Sequence, residues 1–156
     1  MTGFGGRPPV PRSALWLGLA GLIPFVWGLL TEVSPALFDL GQRLAGPRFV
    51  GLHVQVFYGS LILSFMSGVL WGFAVRAPEA VRGTCFGLST LPAIWTFLTI
   101  GGGAERSVLA LVAGFLAVLA LDVVFDRHGL CPGWWLPLRV LLTACVVLCL
   151  LLGLVA

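Results

Sequence analysis

The sequence predicts an all-α fold, a polytopic membrane bundle of five transmembrane helices with a short amphipathic surface helix in the first loop. Three observations predict it. Runs free of charge occupy 13–31, 54–75, 83–104, 107–121 and 140–156, and a helix needs about 20 apolar residues to cross ~30 Å of hydrocarbon. Only 10% of the 156 residues are charged, too few for a water-soluble surface, where about 25% is usual. The segments between the runs are short and punctuated by glycine and proline, which makes consecutive helices antiparallel neighbours. Five spans use most of the chain and leave room for a single transmembrane domain over 1–156.

The first span is expected at 14–31. Arg7 and Arg12 before it resemble the start of a signal peptide, but the apolar run exceeds the roughly 7–15 residues of a cleaved signal. It also holds Trp16, Pro24 and Trp27, and Ser34-Pro35-Ala36 is a poor cleavage site. An uncleaved span is therefore expected, bent at Pro24, which has no backbone donor to complete the helical ladder. Gly18, Gly21 and Gly28 give it an irregular small-residue face.

In the loop at 32–53, Ser34-Pro35 has the form of an N-cap followed by a first-turn proline. Leu37, Leu40 and Leu44 share one helical face, Asp39 precedes Arg43 by four, and Gly46-Pro47 ends the pattern. This predicts a helix lying on the outer surface.

The second span, 54–75, repeats small residues every four positions: Ser60, Ser64, Gly68 and Gly72. Lipid tails are as apolar as leucine, so helices in a membrane associate through close approach and polar contacts. The stripe predicts a packing face and a central position. Ala77-Pro78 ends this span. The third, 84–101, holds Pro92, a second expected kink, with Ser89, Thr96 and Thr99 around it. Such a bent, hydroxyl-bearing helix beside a small-residue helix either packs with its polar groups satisfied locally or lines a pocket. Gly101-Gly102-Gly103 then forms a turn, and no lysine-bearing phosphate loop follows.

The fourth span, 107–125, carries Asp122, the only ionisable residue well inside an apolar run. A carboxylate at that depth is costly unless paired. Arg139, at the start of the fifth span (137–155), should lie at a similar depth and clamp the two helices; Arg76 is a second possible partner. A proton-relay role is the alternative, but no second acid or histidine lies mid-membrane. Trp134 and Trp135 suit the headgroup layer.

Arg7, Arg12, Arg76, Arg82, Arg127 and Arg139 fall on one side of a five-span topology, and Arg43, Arg48 and Arg106 on the other. Positive residues remain in the cytoplasm, so the N-terminus is expected there and the C-terminus on the opposite side of the membrane. All nine basic residues are arginine, and no basic stripe exists to bind nucleic acid. Cys145 and Cys149 share a helix face and read as packing residues; with Cys85 and Cys131 they form no metal spacing. His53 and His128 fall on opposite sides and cannot share a cofactor. No catalytic set can be assembled, so no enzyme activity, cofactor or metal is expected.

Several segments resemble the uncharacterised bacterial and mitochondrial membrane family that includes transmembrane protein 69. They are Pro11 to Phe25, Tyr58 to Gly72, Pro92 with Trp95, Asp122 to Asp126, and Trp134 to Thr143. The second segment is the specific one. The resemblance implies a five-span inner-membrane protein and supplies no catalytic residues. The expected function is that of an accessory, assembly or scaffold subunit packed against a larger respiratory or photosynthetic membrane complex, or a second copy. The alternative is a carrier or binding protein for a small hydrophobic ligand such as a lipid, quinone or tetrapyrrole.

Overall fold

A computed structural model describes residues 7–156, and their regular structure is entirely helical. In chain order the helices are α1 (Arg12–Ala20), α2 (Ile23–Val33), α3 (Pro35–Ala45), one 3-10 turn (Pro47–Phe49), α4 (Gly51–Ala74), α5 (Glu79–Thr99), α6 (Ala104–Arg127) and α7 (Trp135–Val155). Among the described residues, four units are long and apolar enough to cross a membrane: α1 and α2 together, α4, α6 and α7. α5 has sufficient length at 21 residues, but Arg82, two glycines and several hydroxyls dilute it.

The first span is not one bent helix. It breaks at Gly21–Leu22, ahead of Pro24, and Pro24 sits in the first turn of α2. Proline cannot donate to the preceding turn. The chain closes there with a tighter bond from Leu22 N–H to Leu19 O at 3.0 Å. The second proline acts differently, since α5 runs unbroken through Pro92. Ser67 on α4 enters the gap in its ladder. Its hydroxyl donates to Ser89 O and accepts from Ala93 N–H. One side chain bridges Ser89 O and Ala93 N–H, the rung next to the one that Pro92 cannot form, and ties α4 to α5.

α4 is central and packs on α2, α5, α6 and α7. Its first turn is held by the end of α2, where Thr31 Oγ1 accepts from Gly51 N–H at 2.8 Å and Glu32 Oε2 from Leu52 N–H at 3.0 Å. A carboxylate beside the positive end of a helix is favourable. Gly51 has a φ of +57°, and a side chain there would collide with Glu32. The surface helix α3 is capped by Ser34, whose hydroxyl accepts from Leu37 N–H at 3.5 Å. Leu40 and Leu44 point outward.

The face by which α4 packs differs from the one expected. Its buried side carries Gly59, Leu63, Met66, Ser67, Leu70 and Ala74. The stripe of Ser60, Ser64, Gly68 and Gly72 is turned away, and a Cβ at Gly68 or Gly72 would meet nothing within 4 Å. Close approach occurs elsewhere. A Cβ at Gly59 would lie 2.7 Å from Leu111, and one at Gly28 would lie 2.5 Å from Gln55 and 2.9 Å from Gly51 O. The core between helices is Phe25, Leu63, Leu70, Leu111, Phe115, Val118 and Leu150. Trp16, Leu17, Phe65, Phe97 and Leu98 are exposed on the outside, as for a molecule whose solvent is lipid.

These placements make opposite predictions for two glycines. Gly28→Ala should destabilise the bundle by about 1–3 kcal/mol through overpacking against α4. Gly68→Ala should be neutral or stabilise by up to about 1 kcal/mol through helix propensity. Thermal unfolding of both variants in mild detergent measures the difference.

Candidate functional site

Asp122 and Arg139 meet between α6 and α7. Arg139 Nε donates to Asp122 Oδ2 at 2.8 Å, and Trp135 Nε1 donates to Oδ1 at 2.8 Å. Trp135 and Arg139 stand four residues apart on α7, so one helix face presents both donors to one carboxylate. The Asp122 side chain is fully buried and that of Arg139 is 5% exposed. Two charges removed from water lose hydration that only good geometry and further hydrogen bonds offset. The Trp135 indole supplies one such bond. Arg76 takes no part in this pair; its guanidinium lies 5.8 Å from the centre of the Phe73 ring. Asp126, one turn beyond Asp122, pairs with the half-exposed Arg7 at 2.8 Å, a contact of small energetic weight.

Two polar atoms on α7 have no partner. Arg139 Nη2 and, one turn further, Thr143 Oγ1 are buried without a hydrogen bond. Both residues line a partly enclosed cavity of about 380 Å³, a size within the usual range for small-ligand sites. Leu17 and Gly18 of α1 form one wall, and Leu138 and Leu142 of α7 form another. Phe25, Tyr58 and Phe115 close one end; Phe25 meets the other two rings edge-on at centroid distances of 5.4 and 6.1 Å. Trp134 and Trp135 close the other, edge-to-face at 6.0 Å.

The cavity thus lies among the first, second, fourth and fifth expected spans, and its lining includes no residue of α5. The hydroxyls of the third span are engaged within their own helix: Ser89 donates to Phe86 O, Thr96 to Pro92 O, and Thr99 to Trp95 O. Of these hydroxyl residues only Thr99 lines a pocket, with Trp95 and Leu98 of α5 and Arg106 and Leu109 of α6, and Pro92 is not in it. Gly18 of the first span serves in the cavity between α1 and α7, since a Cβ on it would lie 2.8 Å from Leu142.

His53 is exposed at the start of α4, and His128 caps the end of α6 with its Nδ1 2.8 Å from Val124 O. Among the described residues no cluster of histidine, cysteine and acids could hold a metal, and all four cysteines are free. The Cys131 thiol, in the loop after α6, is pushed up to about 12 by burial and then by the charges of Asp122 and Asp126, against the opposing pull of Arg76. It stays protonated at neutral pH, so it is a poor nucleophile.

Sequence reasoning passed over four residues that carry structure here. Gln55 is fully buried; its amide donates to Phe25 O at 3.0 Å and Cys149 O at 3.3 Å, joining α4 to α2 and α7. Glu32, Ser67 and Thr143 are the others. A lone amide inside an apolar run was the available signal for Gln55, and the i+4 relation to Arg139 was the signal for Thr143.

The buried pair supports a double-mutant test. Asp122→Leu or Arg139→Met alone strands a buried charge and should cost about 3–5 kcal/mol. The double variant should be more stable than either single one, with a coupling of about 0.5–3 kcal/mol. Unfolding midpoints of the four proteins in one detergent measure it.

Similarity to known proteins covers nearly the whole chain. Residues 10–155 match the family model described as protein of unknown function (DUF3429). Transmembrane protein 69 of Xenopus tropicalis is 34% identical over 142 residues, which are 88% of this chain and 51% of that protein. Transmembrane protein 69 of Mus musculus is 26% identical over 137 residues, 85% of this chain and 51% of that protein. The chain spans about half the length of these curated relatives. No solved structure matches it. With its apolar spans and a match from end to end of the helical bundle, the chain is a membrane protein and belongs to the DUF3429 family, which includes transmembrane protein 69.

Proposed function

We propose that the chain is a non-catalytic binding protein of the bacterial inner membrane that holds a small hydrophobic ligand between α1, α4, α6 and α7. The observation that carries this reading is the cavity of about 380 Å³, whose lining is mostly apolar and aromatic with Tyr58, Arg139 and Thr143 among it. Ligand sites commonly combine apolar walls with a few placed polar groups. α5 crosses as the third of five spans; its length and its packing along α4 and α6 support this. The excess of arginine at one end of the bundle supports a cytoplasmic N-terminus and a periplasmic C-terminus.

A second reading, an accessory or scaffold subunit of a larger membrane complex, is favoured by one observation. The stripe of Ser60, Ser64, Gly68 and Gly72 faces outward with open space over its glycines. Another helix could approach closely there.

Native mass spectrometry of the protein released from its own membranes should show a stoichiometric lipophile. Ala14→Trp, which fills the cavity, should abolish it without unfolding the bundle. A wild-type protein that carries no such mass opposes the binding reading. A stoichiometric protein partner in its place, lost in Gly68→Leu, selects the second reading. A reporter active only in the periplasm should be active when fused after Ala156; activity confined to the cytoplasm would reject the five-span topology.

A further inference from the structure

We propose that the start of α4 binds an anionic phospholipid, with its phosphodiester on Arg48 and one acyl chain laid along Ser60, Ser64, Gly68 and Gly72. This site is separate from the one proposed above and does not depend on it. A cavity of about 370 Å³ lies between α4 and the connection from α5 to α6, with Arg48, His53, Phe57, Ser60, Ile100 and Ser107 in its lining. The backbone that carries Arg48 is anchored. Trp27 Nε1 donates to Phe49 O at 2.8 Å, and the next residue, Val50, is fully buried. The guanidinium lies 4.2 Å from the centre of the Phe57 ring, a cation–π contact that steadies it over the cavity wall.

The polar groups select the ligand. The lining includes no acid, and among the described residues Arg48 makes no salt bridge. The two hydroxyls already donate within the chain, Ser60 to Val56 O and Ser107 to Gly103 O. The cavity therefore offers a cation without a counter-charge. A guanidinium presents a planar fork of donors and no acceptor, a match for two oxygens of a phosphate. A zwitterionic headgroup would bring a second cation beside Arg48. A headgroup charged only at its phosphate leaves the pair neutral.

Depth and shape favour a lipid over a free anion. Arg48 precedes the first residue of α4 by three positions, which puts it at the end of a span, where headgroups lie. Ser60 lines the cavity and also begins the small-residue stripe. Beyond it Ser64, Gly68 and Gly72 are exposed, and a Cβ on either glycine would meet nothing within 4 Å. From Ser60 to Gly72 a helix rises about 18 Å, close to half of the ~30 Å hydrocarbon core. A cationic cavity that opens onto a shallow groove one leaflet deep fits a headgroup and its chain.

The test offers the full chain, in mild detergent, equal amounts of phosphatidylglycerol and phosphatidylcholine with the same acyl chains. Native mass spectrometry counts what is retained. Phosphatidylglycerol should be retained about fivefold over phosphatidylcholine, the value of one arginine near a membrane surface. Arg48→Gln should abolish the preference, and Arg48→Lys, which keeps the charge without the fork, should leave part of it. Arg43→Gln removes the same charge from α3, outside the cavity, and should preserve it. Gly68→Leu should weaken retention of the long-chain lipid and leave a short-chain form unaffected. All of this should persist in Ala14→Trp, which separates the site from the cavity beside α1. Equal retention of both lipids, or a preference lost alike in Arg43→Gln and Arg48→Gln, would mean diffuse surface charge and overturn the proposal. Displacement of the lipid by an equal concentration of glycerophosphoglycerol would assign the cavity to a free phosphate ester and overturn the lipid. A protein seated on the stripe with no lipid retained would overturn it as well.

Discussion

Hydrocarbon offers no hydrogen bonds, and that single property governs how this bundle is assembled. A polar group at depth is costly unless it finds a partner, and most here find one within the protein. The polar contacts between helices consequently sit where the chain most needs to be joined. Ser67 of α4 repairs the ladder of α5 at Pro92. Thr31 and Glu32 of α2 close the first turn of α4. Gln55 of α4 reaches the backbones of both α2 and α7. Asp122 of α6 takes two donors from α7. Three of these four contacts involve α4, which accounts for its central place better than its small-residue stripe does. Where apolar burial confers little preference between protein and lipid, such contacts supply specificity.

That same property limits what a sequence can reveal. Four of the span positions were legible because a long run without charge has few other uses. The surface helix was legible from Ser34-Pro35 and the spacing of its leucines, and the membrane family from whole segments. Asp122 stood out because a carboxylate inside an apolar run demands an explanation, and Arg139 was at a plausible depth to meet it. The orientation of α4 was not legible. A lipid-facing side and a protein-facing side can be equally apolar, so the helix carries no amphipathic signal to choose between them. The stripe at Ser60, Ser64, Gly68 and Gly72 and the buried side through Gly59, Leu63 and Ser67 differ by one residue, about 100° of rotation. Gln55 and Ser67 select the buried side, because each has a partner only if that side faces inward.

The first span shows a related gap between disruption and consequence. Pro24 marked a disturbance, but the break falls ahead of it, where the chain lacks the donor that proline cannot provide. Splitting the span into α1 and α2 matters beyond local geometry. α2 packs tightly on α4, with Phe25, Gly28 and Thr31 buried, whereas α1 has no buried residue and packs chiefly on α7. A continuous helix would have carried the packing of α2 forward along α4. Both α1 and α2 contact α7, and residues of α1, α2, α4, α6 and α7 line the cavity.

The ion pair and the cavity are then parts of one arrangement. A pair isolated in the core could have used every donor of the guanidinium on protein acceptors, or could have been replaced by apolar side chains at little cost. Here Arg139 Nε and the Trp135 indole both donate to the carboxylate, and Arg139 Nη2 and Thr143 Oγ1 remain buried without a partner. The carboxylate fixes the guanidinium plane, so the free donor has a defined position. α1, which lines the cavity beside α7, has no buried residue. Segments with few buried contacts open at low free-energy cost, which suits exchange of a lipophile sideways with the bilayer. Under the binding role proposed above, a cavity lined by a helix held this loosely gives a lipophile a way in from the bilayer.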